Sequence, residues 1–127
     1  MHVLGLEEPA PRGVWNQYMR GGYSVWPVGR ETVDAHCHFD AIELFIILDG
    51  QCEMTVEDEV QVIQPGQTVY VGPGGWHKVK AVGDRPLVMF MVIAPNHSPT
   101  HTIRRADGSV YNHDATPPAP DDPKTVR

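Results

Sequence analysis

The sequence predicts an all-β domain, either a sandwich or a barrel, on two main observations. From about Gly13 to Ala94 the chain consists of short apolar runs separated by glycine, proline and aspartate. No stretch shows the apolar period of 3.6 residues that marks an amphipathic helix. Short strands with turn signals between them are typical of β-sandwiches and β-barrels. The length of 127 residues fits one such domain with a single core.

Eight strands are predicted within this region, each bounded by turn residues such as Asp49-Gly50 and Pro65-Gly66. Leu44–Leu48 is apolar at every position, which predicts a central strand that is covered on both faces. In Cys52–Val56 apolar and polar residues alternate, which predicts one buried and one wet face. The predicted strands are Gly22–Val28, Val33–His38, Glu43–Leu48, Cys52–Val56, Val60–Ile63, Thr68–Val71, His77–Val82 and Leu87–Ala94.

The segments on either side of this core are less regular. Ala106-Asp107-Gly108 is a turn signal, so Thr100–Arg105 and Ser109–Asn112 are predicted to pair as a late hairpin. Residues 115–127 hold four prolines and few aliphatic side chains, so we expect them to be flexible or to drape over a neighbouring part of the molecule. The predicted organisation is an N-terminal arm (1–21), a β core (22–94), a C-terminal extension (95–114) and a Pro/Asp-rich flexible tail (115–127).

Composition and charge exclude several classes of protein. The formal net charge is −6, and the longest run of basic residues is the pair Arg104-Arg105, which argues against a nucleic-acid surface. No apolar stretch approaches the roughly 20 residues of a membrane span, and the acidic start, Met1–Arg12, does not read as a secretory signal. Cys37 and Cys52 are the only cysteines, which favours two free thiols in a reducing cytoplasm.

A group of histidines and one glutamate carries the functional information in this chain. His36 and His38 are two residues apart, so on a strand their imidazoles point to the same side, while Cys37 points away. Glu43 can face them after a tight turn, and His77 opens a later strand. Glu43 lies within an apolar run, where a carboxylate is costly unless it is paired or bound to a metal. Three imidazoles and one carboxylate suit a first-row divalent metal ion and leave positions for water or substrate.

The spacing of these residues resembles two motifs of the cupin superfamily. The first is His36-x-His38-x4-Glu43-x6-Gly50, and the second is Gly66-x5-Gly72-Pro73-Gly74-x2-His77. Three other positions depart from the usual pattern: Gly29 is one step too far from the first histidine, and Gly72 and Ala81 replace residues more common in the family. None of the three is a ligand position.

The resemblance implies a small single-domain cupin, which is a double-stranded β-helix or jelly-roll barrel. It also implies that His36, His38, Glu43 and His77 hold one divalent transition metal, Fe, Mn, Ni, Zn or Cu, in the mouth of the barrel. Such small single-barrel proteins are often homodimers. A substrate pocket beside the metal is expected to be lined by apolar residues of the neighbouring strands, namely Phe45, Ile47, Met54, Trp76, Met89 and Met91.

The four remaining histidines are predicted to lie outside this site. His97 and His101 are separated by Pro99, which would break a helix that aligned them, so a loop is expected there. His2 and His113 lie toward the ends of the chain and are predicted to be solvated. No side chain beyond the metal ligands is assigned as a general base.

The functional hypothesis is a metal-dependent oxidoreductase of the dioxygenase type that acts on a small organic molecule. One alternative is a non-enzymatic cupin that binds a small ligand, and another is a metal-dependent isomerase or lyase. The sequence does not choose between the metals, because their affinities for such sites overlap. The expected partners are a small-molecule substrate and a second copy of the chain, with no nucleic acid and no membrane.

Overall fold

The computed structural model describes the whole chain from Met1 to Arg127 and consists of twelve β-strands without a helix. No segment therefore forms a helix that is long and apolar enough to cross a membrane. The strands are β1 (Gly13–Trp15), β2 (Arg20–Trp26), β3 (Ala35–Cys37), β4 (Ile42–Asp49), β5 (Gln51–Val56), β6 (Glu59–Ile63), β7 (Thr68–Val71), β8 (His77–Val82), β9 (Leu87–Ala94), β10 (His101–Arg104), β11 (Val110–His113) and β12 (Thr125–Val126).

The strands form two six-stranded sheets that face each other, and the prediction of an all-β double-stranded β-helix is confirmed. One sheet has the order β12-β1-β2-β9-β4-β7, and the other has the order β11-β10-β3-β8-β5-β6. Every neighbouring pair is antiparallel except β1 with β12. Strands that follow each other in the chain often lie in different sheets, which is typical of a jelly roll.

The eight strands predicted for the core all form. The bounds of β7, β8 and β9 are those predicted, and the other five differ by one or two residues at one or both ends. β4 is central, between β9 and β7, but the expectation that both of its faces are covered is wrong. Phe45 and Ile47 point into the core, whereas Leu48 is 45% exposed, because no layer covers the outer face of the sheet there.

The core lies between the two sheets and begins beside the histidines, where the ring centroid of Phe45 is 5.6 Å from that of His77. Inward-facing residues of adjacent strands fill it, as the alternation of side chains along each strand requires. Ile47, Leu87 and Met89 have no exposed surface. The ten buried residues of this core are Phe45, Ile47, Cys52, Met54, Ile63, Val71, Val79, Ala81, Leu87 and Met89.

Both ends of the chain add strands to the barrel. β10 and β11 pair as a hairpin around the predicted turn, and β10 also pairs with β3. The final segment drapes over the N-terminal arm, where β12 runs parallel to β1 and the carbonyl of Lys124 accepts hydrogen bonds from Arg12 and Gly13. The arm and the extension therefore contribute to the two sheets, although neither belongs to the predicted core at 22–94.

Gly50, at the turn between β4 and β5, shows why the motif has a glycine at this position. Its φ is +71°, and a Cβ atom there would lie 2.3 Å from the carbonyl oxygen of Pro86. We predict that Gly50→Ala destabilises the protein by about 2 kcal/mol or more, measured by urea unfolding, because strain and collision add. Gly66→Ala is the matched control: its φ is +87°, but a Cβ would meet no atom within 4 Å. Equal losses in both variants would contradict the role of the close contact.

Candidate metal centre

The structure brings the four predicted ligand side chains together between the two sheets. His36 lies on β3 directly opposite His77, the first residue of β8. Glu43 comes from β4 in the facing sheet, and His38 follows β3 at the start of the turn between them. One ligand atom from each of the four lies within 4.8 Å of every other. Three of them are buried, and His36 is half-buried.

Hydrogen bonds to backbone carbonyls fix which nitrogen carries the proton in two of these rings. His38 Nδ1 lies 2.6 Å from the carbonyl oxygen of Thr100, and His77 Nδ1 lies 2.9 Å from that of Gly75. A carbonyl oxygen only accepts, so each Nδ1 must donate its proton. In the neutral rings the lone pair is therefore on Nε2. The same arrangement is usual for histidines that ligate a metal, because it holds the ring and raises its basicity.

Both Nε2 atoms point at one oxygen of Glu43. Oε2 of this carboxylate is 2.9 Å from His38 Nε2 and 2.8 Å from His77 Nε2. With neutral rings and an ionised carboxylate, three electron-pair donors face one another at hydrogen-bond distance without a proton between them. Such a cluster is stable only when it holds positive charge, either protons on the rings or a cation.

The electrostatics of the cluster favour an ionised Glu43 and a neutral His36. Burial, the largest effect, acts to raise the pKa of Glu43, but hydrogen bonds from His38 and His77, donated when their Nε2 atoms carry protons, outweigh it and lower this pKa to about 2. Burial, together with the neighbouring His77, lowers the pKa of His36 to about 3. At neutral pH His36 therefore offers a free lone pair to the centre, next to an anionic carboxylate.

This donor set fits a divalent transition metal. Metal bonds from imidazole nitrogen and carboxylate oxygen are about 2.1 Å long, so ligand atoms lie up to roughly 4.2 Å apart around one ion. The observed limit of 4.8 Å requires only small movements of the side chains. Nitrogen and oxygen donors suit Fe, Mn, Ni, Zn and Cu alike, so the set does not choose between them.

A cavity of about 390 Å³ opens beside the cluster, and His36 and Glu43 form part of its wall. Of the six residues predicted to line a pocket, it contains Phe45 and Met91. The other four lie elsewhere: Ile47, Met54 and Met89 are in the core, and Trp76 packs against Phe39 and Arg104. The three core residues lie outside the cavity because of their position along the strands. On β4, for example, Ile47 follows Phe45 on the inward face and points deeper into the barrel.

His101 begins β10, as the predicted hairpin at Thr100–Arg105 requires, and does not lie in the loop expected for the pair His97 and His101. It lies beside the centre. Its ring centroid is 5.3 Å from that of His36 and 5.1 Å from that of His38, and it lines the same cavity. Burial, with His38 nearby, lowers its pKa to about 4. His97 is exposed and lies outside the strands, and His113 is exposed on β11 with its ring centroid 6.1 Å from that of His101.

Arg20 and Thr100 also belong to this site and were not predicted from the sequence. The backbone carbonyl of Thr100 accepts hydrogen bonds from Arg20 Nη2 at 2.8 Å and from His38 Nδ1 at 2.6 Å. Arg20 is 5% exposed and lines the cavity. The only signal in the sequence was that Arg20 stands before Gly21-Gly22, at the start of a β-like run. Nothing in the local sequence relates Arg20 to its partners about eighty positions later.

Comparisons with known proteins agree with this architecture. Among curated proteins, the uncharacterized protein MJ1618 of Methanocaldococcus jannaschii is 32% identical over 75 residues, which are 59% of each chain. The match thus spans about three fifths of that relative's length.

Solved structures share the fold at low sequence identity. TT1209 from Thermus thermophilus has a TM-score of 0.60 at 20% identity, covering 72% of this chain and 90% of that one. BH2720 from Bacillus halodurans has a TM-score of 0.61 at 19% identity, covering 72% and 74%. KdgF from Halomonas sp. has a TM-score of 0.57 at 17% identity, covering 65% and 74%.

The family model described as the cupin domain matches residues 22–93, more than half of the chain. The matched segment contains both sheets' central strands and all four residues of the cluster. With its two facing sheets and its histidine–glutamate cluster, this chain belongs to the cupin family.

Proposed function

We propose that this protein is a metal-dependent oxidoreductase of the dioxygenase type, acting on a small organic substrate at a centre of three histidines and one glutamate. The observation that supports the proposal most is the convergence of three electron-pair donors on one point beside a cavity. A cavity of about 390 Å³ is within the size range of small-molecule sites. When bound, a divalent metal would supply a Lewis-acidic centre with positions for substrate and O₂.

The residues of the chain have distinct parts in this proposal. His36, His38, Glu43 and His77 would hold the metal, and the carbonyls of Thr100 and Gly75 keep two of the rings oriented. Phe45, Met91 and Ile93 form an apolar wall of the cavity that excludes water and orients an organic substrate. His36, Glu43 and His77 lie on β-strands. Their positions are therefore fixed by the sheets, and the site is expected to be preformed.

The test starts with the metal content of the protein as purified and after iron loading. We expect about one equivalent of metal, and uptake of O₂ by the iron-loaded protein with at least one compound from a panel of diols, thiols and flavonoid-like molecules. His97→Asn, at an exposed position, should leave uptake unchanged, whereas His77→Ala should abolish it. Loading without any O₂ uptake, combined with specific protection by a compound against heat, would instead support a non-enzymatic binding protein.

A second candidate, a metal-dependent isomerase or lyase, is favoured by the position of His101. These reactions move a proton to or from the substrate, and such a step needs a base within reach. The His101 ring contacts the same cavity as the centre without belonging to the four ligands. Conversion of a substrate under strictly anaerobic conditions, lost in His101→Asn with metal content intact, would support this candidate over the first.

The predictions of a homodimer and of a cytoplasmic location remain proposals. Light scattering of the purified protein gives the mass directly: we expect twice the mass of the 14.1 kDa chain. A monomer at micromolar concentration would contradict the dimer without affecting the metal site, because all four ligands come from one chain.

A further inference from the structure

Arg20 is a buried cation for which the chain supplies no ion-pair partner. It is 5% exposed, and the four ion pairs of the structure involve other residues. The guanidinium donates to two neutral oxygens, that of the Thr100 carbonyl at 2.8 Å and Oδ1 of Asn96 at 3.0 Å. A guanidinium has five N–H donors, so these contacts leave some of them free. Buried charges are normally paired, and this one is therefore unusual.

The guanidinium belongs to the wall of the cavity that adjoins the metal centre. Arg20 is the only arginine or lysine among the residues that line this cavity, and Glu43 is the only carboxylate. Burial, the largest effect, lowers the pKa of Arg20, while Glu43 and Asp114 oppose the shift. Arginine remains protonated in proteins in any case.

The charges of the cavity do not balance once the proposed metal is present. The single negative charge of Glu43 offsets the guanidinium of Arg20 across the cavity. A divalent ion at the centre adds two positive charges, and no further carboxylate lines the wall. The low dielectric of a buried site makes such an excess costly, and an anionic ligand would remove it.

We propose that Arg20 binds the carboxylate of the substrate, which is therefore a small organic acid with an apolar body. The inference rests on the proposed function, because it assumes that the cavity beside the centre receives the substrate. Arginine matches a carboxylate with two parallel hydrogen bonds, which fixes orientation as well as charge. Trp15, whose ring centroid is 6.0 Å from Arg20 Cζ, and Phe45 would contact the apolar body.

The first test uses the unmodified protein and needs no substrate turnover. Zinc-loaded protein is titrated by calorimetry with three carboxylates, benzoate, phenylacetate and hexanoate, and with the corresponding uncharged amides. We expect at least one carboxylate to bind about tenfold or more tightly than its amide, since charge-assisted hydrogen bonds are stronger than neutral ones. If no carboxylate binds better than its amide, the proposal is wrong.

Variants then assign the preference to Arg20. In Arg20→Gln the carboxylate should bind about tenfold more weakly while the amide changes little, with zinc content unchanged. Arg20→Lys keeps the charge and should recover only part of the preference, because it lacks the planar fork. Arg85→Gln removes an exposed arginine outside the cavity and should change nothing. Equal weakening of carboxylate and amide in Arg20→Gln would show a structural role only and would overturn the proposal.

A further variant guards against misfolding of the Arg20 substitutions. Asn96→Asp places a carboxylate at the atom that now accepts from Arg20 Nη1, so the chain itself would neutralise the guanidinium. Carboxylate binding should fall about tenfold although Arg20 is retained, and unchanged binding would contradict the proposal. Zinc binding by the same samples reports separately on the metal centre. If no O₂ uptake is found, the dioxygenase proposal fails, but the preference for carboxylates over amides should still be measured.

Discussion

Glu43→Gln is expected to lower metal affinity by at least about 100-fold, the largest effect that we predict for a single atom replacement. The glutamine keeps the shape of the side chain but removes the anionic oxygen at which both Nε2 atoms point. A second acidic ligand is not available, since the other three donors are imidazoles. Mutation of a group that only supports a metal ligand lowers metal affinity about 10- to 100-fold. Loss of a ligand itself should therefore lower it at least as much.

The measurement is metal content after dialysis together with thermal unfolding in the presence of excess metal. A metal at about 100 times its Kd stabilises the native state by roughly 2.7 kcal/mol, and this gain should disappear in Glu43→Gln and in His77→Ala. Glu7→Gln, at an exposed position, is the matched control and should retain the full gain. Wild-type metal content in either His77→Ala or Glu43→Gln would refute the assignment of the centre.

Acid is expected to destabilise the metal-free protein progressively from about pH 6.5 down to pH 3. His36 has a pKa of about 3 in the native state, against 6.5 when unfolded, so the unfolded chain binds its proton first. The stability from a depressed pKa is present above the unfolded value and is lost as the pH falls toward the folded value. For His36 alone this corresponds to about 4 kcal/mol. His101 acts in the same direction, between its ordinary 6.5 and about 4.

Glu43 extends this loss to lower pH. Its native pKa is about 2, against 4.5 for the free side chain, so it contributes stability that disappears between these values. Urea unfolding of chelator-treated protein across this range measures the effect. In His36→Asn the slope between pH 6.5 and 3 should be markedly smaller, whereas His97→Asn, at an exposed residue, should match the unmodified protein. A stability that is flat from pH 6.5 to 4 would contradict the burial of neutral imidazoles in this cluster.

Those features that local sequence controls were predictable. The bounds of β7, β8 and β9 follow from β-like runs that end at Gly72, at Gly83-Asp84 and before Pro95. The juxtaposition of His36 and His38 follows from the two-residue period of a strand. His77 was assigned to the same site from the family resemblance. From spacing alone, His77 would have been one of several possible third histidines.

Other features depend on contacts between distant parts of the chain. β1 and β12 are too short to show a periodic pattern and exist because they pair with each other and with β2. The burial of the outer face of β4 was overestimated, since apolar composition does not say whether a second layer will cover a strand. Of the predicted pocket residues, Ile47, Met54 and Met89 lie in the core because they are deeper in the barrel than the cavity.

The amino-acid sequence by itself determined the fold class, most strand positions and the set of four candidate ligands, because alternation, turn residues and motif spacing are local properties. Only the tertiary structure decided that His101 lies beside the centre and that Arg20 faces the same cavity. Both depend on the pairing of β10 with β3 and of β2 with β9. Pairing between strands far apart in the chain is selected by the free energy of the whole packed barrel, which no short stretch of sequence contains.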